Sequence, residues 1–203
     1  MDKDIARFES LLLSTKREGI ETLLDFLRQS DFYTAPASTK YHSCHAGGLL
    51  EHSLNVNECL LRKFEEPLWK EKLTGVSKES ANLCSLLHDF SKNRFYEVEY
   101  KNKKIYSETG KKIDSNGRFD WVTVPGYAVN DTHPLGHAEG SVIMLQQFIR
   151  LKPVELYAIR WHHCFAEPKD NYNTLSSAIR KYPLILALHE ADMEATYLLE
   201  EEE

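Results

Sequence analysis

A chain of 203 residues with 31 acidic and 25 basic side chains carries a formal charge of −6. No global basic field equips it to bind nucleic acid tightly, and an anionic substrate must be held locally, by a metal or by a few Lys and Arg side chains. Its 42% hydrophobic and 28% charged content is that of a globular domain with one good core, and its longest apolar stretches, such as 182–189, fall far short of the roughly 20 residues that a membrane helix needs.

The opening MDKDIARFES carries acids early and has no apolar run ending at a small-residue cleavage site, which argues for a cytoplasmic location. Cys44, Cys59, Cys84 and Cys164 are scattered without a CxxC pair, a pattern of reduced, buried thiols.

Along the chain, Ile5, Phe8, Leu11 and Leu12, then Ile20, Leu23, Leu24 and Leu27, recur at helical spacing and predict a helical hairpin over 1–30, broken near Glu18-Gly19. FYTAPASTKYH reads as a loop. Gly47-Gly48 opens a helix to about Lys63, and another runs from about Ser77 to Phe90. Between 94 and 132 the period changes: RFYEVEY and KKIYSE read as two strands turning through Lys101-Asn102-Lys103, and WVTV, between Asn116-Gly117 and Pro125-Gly126, as a third. Helical pattern returns at 137–151, 153–165 and 174–199, the second opening on Pro153. The expected fold is a single all-α domain over 1–203 with a small β-insertion at 94–132, and the acidic end EEEE is expected to be a solvated terminus.

Nine histidines are present, and His52, His88, His137, His162 and His163 lie at positions that invite metal ligation, with Asp89 and Asp192 adding carboxylates. Each sits within or at the end of an expected helix, so helix packing can gather them in a bundle core. Imidazole and carboxylate without cysteine suit one or two divalent transition-metal ions such as Fe, Mn, Zn, Co or Ni. A single histidine on a helix is more often a hydrogen-bonded packing residue than a ligand; the order carries the signal, namely His, then adjacent His-Asp, then two later His positions, then Asp.

In that order the chain resembles the HD-domain metal-dependent phosphohydrolases, an all-helical superfamily whose signature is H…HD…D. His52, His88-Asp89 and Asp192 match the signature. HAGGLLEHSLNV is similar to the first-ligand helix of HD proteins related to bacterial 3′-5′ exoribonucleases. HDFSK fits the HDxxK form of the second motif, and WVTVPGYAVNDTHPLGHAEGSV resembles the insertion and following helix of an uncharacterised bacterial and phage HD group.

The resemblance implies that His52, His88, Asp89 and Asp192 hold one ion, with Asp89 bridging to a second held by His137 and His162. It also implies phosphoester hydrolysis by metal-activated water, with Lys92 contacting the substrate phosphate. Adjacent helical residues diverge by about 100°, so one of His162 and His163 is expected to ligate; His162 is preferred, and His163 is assigned to the substrate. His42 and His45 are expected to line the mouth of the site, and His189 to pack. The basic cluster from Lys101 to Arg118 reads most simply as edge lysines of a solvated hairpin, and otherwise as a flap over substrate phosphates.

The expected substrate is a nucleotide, another phosphorylated small molecule or a short nucleic acid, with no membrane partner. The other readings are a dinuclear-iron HD-type oxygenase and a non-catalytic nucleotide-sensing module. CFAEP follows WHH where cyclic-dinucleotide phosphodiesterases carry ExxDGxGYP, and the nucleic-acid-binding barrel of the exoribonuclease type is not expected.

Overall fold

The computed structural model describes residues 1–40, 43–131 and 134–200. Helices dominate, and one small antiparallel sheet interrupts them. Helices α1 (Asp2–Ser14) and α2 (Ile20–Gln29) bury Phe8 and Leu12, and Ile20, Leu23, Leu24 and Leu27 respectively. Between them Gly19 has φ 84°, and a Cβ there would collide with the Phe148 carbonyl, so glycine alone fits the break.

Helix α3 (Gly48–Lys63) is buried around most of its circumference and packs against α5 (Lys78–Leu87) and α9 (Leu184–Glu194). Ten-residue helices such as α5 are too short to persist alone in water. Packing holds α5 in place: Leu83, Leu86 and Leu87 are fully buried, each worth about 1.5–3 kcal/mol in removed apolar surface. Ser77 caps it, its Oγ accepting from the Ser80 N–H at 3.2 Å. A short helix that the sequence pattern did not predict, α4 (Pro67–Lys72), opens on its proline.

Helices α6 (His137–Leu145) and α7 (Pro153–Arg160) pack on each other, and α7 also packs on α5 and α9. Both end earlier than the sequence pattern suggests. The single helix expected over 174–199 is two, α8 (Tyr172–Lys181) and α9, because Pro183 disfavours helical backbone at Tyr182, which sits at φ −132°, ψ 80°. A π-turn, Ala195–Leu199, follows α9. Among the described residues no helix is long and apolar enough to cross a membrane.

The sheet has the order β1 (Tyr96–Tyr106), β3 (Gly117–Val129), β2 (Lys112–Asp114). Lys101-Asn102-Lys103 does not turn, contrary to expectation. It lies in mid-strand opposite Val124, Thr123 and Val122, since no glycine follows Asn102 to complete the Asn-Gly pair of a tight hairpin and the triplet pairs along its length with β3. The hairpin turn between β2 and β3 is Ser115-Asn116, closed by the pairing of Asp114 with Gly117, which has φ 121°. β3 continues through Pro125, which pairs with Tyr100 where no N–H is required. Instead of entering the core, Tyr100, Val98 and Trp121 stay exposed, and Phe119 is the buried exception.

Candidate metal centre

Five segments of the bundle meet around Asp89. His52 projects from the buried face of α3, 1% exposed. α5 ends at Leu87, so His88 is its cap, and Asp89 leaves the helix at φ −103°, ψ 23°. His137 begins α6, His162 and His163 follow the end of α7, and Asp192 lies on α9.

The two oxygens of Asp89 face different histidines. Oδ2 is 3.5 Å from His88 Nε2 and 4.0 Å from His52 Nε2, while Oδ1 is 3.5 Å from His137 Nε2 and 3.7 Å from His162 Nε2. Asp192 Oδ1 lies 3.2 Å from His52 Nε2. His52, His88 and Asp192 offer ligand atoms within 4.8 Å of one another, as do His137, His162 and His163, and His88, Asp89 and His162 do the same between them.

Helix ends set the orientation of the central rings. His88 Nδ1–H donates to the Ser85 carbonyl at 2.8 Å, and His162 Nδ1–H donates to the Ile159 carbonyl at 2.7 Å. Each bond leaves a bare Nε2 lone pair aimed at the centre. Those two Nε2 atoms and Asp89 Oδ1 are buried and have no hydrogen-bond partner among the described residues. Three buried acceptors left unpaired would each cost about 1–3 kcal/mol, which a shared cation removes. The residues therefore fit a metal, and the set of imidazole and carboxylate donors without cysteine suits a transition ion.

Electrostatics agree with that division. Burial drives His88 and His162 below the ordinary histidine range and His137 down to about 4, so these rings are neutral donors. Burial opposes ionisation of Asp89, but the charge of Lys92 beside it holds its carboxyl well below the usual range. His52 differs: burial lowers its pKa, yet hydrogen bonds and charge from Asp192 and Glu200 raise it to about 10.

Lys92 Nζ sits 2.7 Å from Asp89 Oδ2 and donates to the Ala37 carbonyl at 2.9 Å. His163 does not stand apart from the other candidate residues as the 100° argument expected. α7 stops at Arg160 and Trp161 turns the chain, so the rings of His162 and His163 lie 4.0 Å apart and His163 Nε2 touches His137 Nε2. His42 lies outside the described residues. His45 is half exposed beside Glu51, while His189 Nδ1–H donates to the His162 carbonyl at 2.8 Å and so braces the backbone of that histidine.

Sequence reading missed Glu200. The acidic end is not wholly a solvated tail: Glu200 is 7% exposed, and its carboxylate accepts from His52 Nδ1, Asn55 Nδ2 and Ser43 Oγ. Arg160 was also missed; its guanidinium joins α6 to the residues after α7 by pairing with Glu139 at 2.8 Å and Glu167 at 2.7 Å. A cleft of about 330 Å³ opens beside the centre, lined by His137, His163, Glu139, Arg160, Glu167 and Asn171 among others. No family model matches the chain, and neither a curated protein nor a solved structure matches it significantly.

Proposed function

We propose that the chain is an HD-type metal-dependent phosphohydrolase that cleaves a phosphomonoester or phosphodiester, with a nucleotide or short nucleic acid as substrate. The observation that carries this reading is the Asp89 carboxylate, whose two oxygens face two groups of histidines, each of which contributes one buried, neutral ring with an unpaired Nε2, His88 on one side and His162 on the other. In this reading His52, His88, Asp89 and Asp192 hold one divalent ion, and Asp89, His137, His162 and His163 hold a second. Bound there, such ions lower the pKa of a water towards about 7 and offset charge on phosphoryl oxygens.

The chain's own groups do the rest. Ser85 and Ile159 keep His88 and His162 in the tautomer that offers Nε2. Two protons of Lys92 are engaged by Asp89 and Ala37, which fixes the ammonium in place and leaves the third for a phosphoryl oxygen. The neighbouring cleft takes the remainder of the substrate, with Asn171 and Arg160 as its polar contacts.

The test is a screen of phosphomonoesters, phosphodiesters and nucleotides with the metal-loaded full chain, run with and without dioxygen and repeated with Asp89→Asn. Release of phosphate or nucleotide without dioxygen, lost in the variant, is expected. Turnover that requires dioxygen, or that survives intact in Asp89→Asn, sinks the reading.

A further inference from the structure

The outer edge of β1 bears a charge pattern that is complementary to itself. β1 lies at the margin of the sheet, with β3 on one side and no strand on the other among the described residues. The ladder alternation is set at both ends, where Ser107 N–H donates to the Arg118 carbonyl at 3.0 Å and Asn130 N–H donates to the Phe95 carbonyl at 2.8 Å. Odd-numbered residues of β1 therefore bond to β3, and even-numbered residues turn their N–H and C=O groups to the open edge. The pairing of Tyr100 with Pro125 agrees, since proline has no N–H to donate.

Along this edge the sequence reads Glu97-Val98-Glu99-Tyr100-Lys101-Asn102-Lys103. Glu97, Glu99, Lys101 and Lys103 share one face of the sheet, acids on one side of Tyr100 and lysines on the other. We propose that β1 pairs antiparallel with β1 of a second copy of this chain about a two-fold axis at Tyr100, joining the two sheets into one of six strands.

In that register Glu99 faces Lys101 of the second copy and Glu97 faces its Lys103, each twice by symmetry, and the outward N–H and C=O groups of the two Tyr100 residues bond to each other. Moving the axis to Lys101 or to Glu99 sets like charges against each other, so the charges select Tyr100. Within one chain Lys101 already pairs with Glu99, so the cross-strand arrangement extends an existing contact. Val98 and Tyr100, 61% and 74% exposed, gain cover on the opposite face. Lysines on an edge strand ordinarily discourage association, but here an equal number of acids, ordered about Tyr100, stands ready to pair with them.

The experiment is the solution mass of the full chain by light scattering and sedimentation over a concentration series up to about 1 mM, the weak end of specific association, after nuclease treatment. A mass approaching twice that of the chain is expected, weakening with salt. Glu99→Lys and Lys101→Glu should each raise the dimer dissociation constant by about tenfold, and the double exchange should restore it. Tyr100→Pro removes an outward N–H without touching a bond to β3, and should leave a monomer with unchanged circular dichroism. A single-chain mass at every concentration overturns the proposal. So does a dimer indifferent to Tyr100→Pro, or a double exchange no better than its single parents.

Discussion

His52 Nδ1 lies 3.1 Å from both carboxylate oxygens of Glu200, 148 residues further along the chain. A carboxylate behind a ligating imidazole fixes the ring and raises its basicity, and loss of such a partner costs about 10–100-fold in metal affinity. Glu200→Gln is expected to weaken metal binding by about that factor, read by competition with a chelator, while the fold persists by circular dichroism. Affinity equal to wild type would show that Glu200 merely packs.

Asp89 touches both histidine groups, so its loss should empty both positions, whereas His137→Ala should empty one. Elemental analysis of chelator-free protein is expected to give about two transition-metal equivalents in wild type, about one in His137→Ala and near none in Asp89→Ala. One equivalent in wild type, unchanged in His137→Ala, would reduce His137 and His163 to substrate contacts.

Lys92 is assigned to the substrate and not to a metal, which separates its phenotype from those of the ligands. Lys92→Ala should lower kcat by about 10²-fold with metal content unchanged. A rise in KM with kcat intact would mean that the ammonium only gathers substrate.

Phe90 follows Asp89 directly and is fully buried, its ring within 5.7 Å of Phe26, 6.4 Å of Phe32 and 6.1 Å of Phe148 between centroids. Phe90→Ala should cost about 3–5 kcal/mol in denaturant unfolding. Because the same turn carries Asp89, metal affinity should fall with it.

Away from the centre, the hydrogen bond from Arg28 holds the Glu9 carboxyl below its ordinary 4.5, with smaller help from Tyr33. The folded chain thus binds this proton less tightly than the unfolded chain. The resulting stability is present above about pH 4.5 and is lost as pH falls through the lower folded value. The gap in Tm between wild type and Arg28→Ala should therefore narrow between about pH 6 and about pH 3. A gap independent of pH would assign the effect of Arg28 to packing.

Much of the centre was legible because its residues punctuate helices. His88-Asp89 stands out as polar residues ending an apolar run, and His52 and Asp192 stand out on otherwise buried helical faces. Glu200 was hidden in a run of like residues that looks the same whether it is a tail or a buried partner. The convergence of His162 and His163 depends on α7 stopping at Arg160, where neither Gly nor Pro announces the end. The long ribbon was divided wrongly at Lys101-Asn102-Lys103 because a polar triplet between apolar runs imitates a turn, and only the pairing with β3 distinguishes the two.

Ser85 and Ile159 supply carbonyls from the last turns of α5 and α7, groups that a helix end ordinarily leaves to water or to a capping residue. A histidine three residues later closes each of them with the nitrogen it does not present to the centre. Rotating either ring by half a turn would strand the carbonyl and set a carbon against it. Each imidazole is thereby locked in a single orientation by the helix it terminates. A cation bound at the proposed centre would meet these two nitrogens already aimed at it, so neither ring would have to turn to receive it.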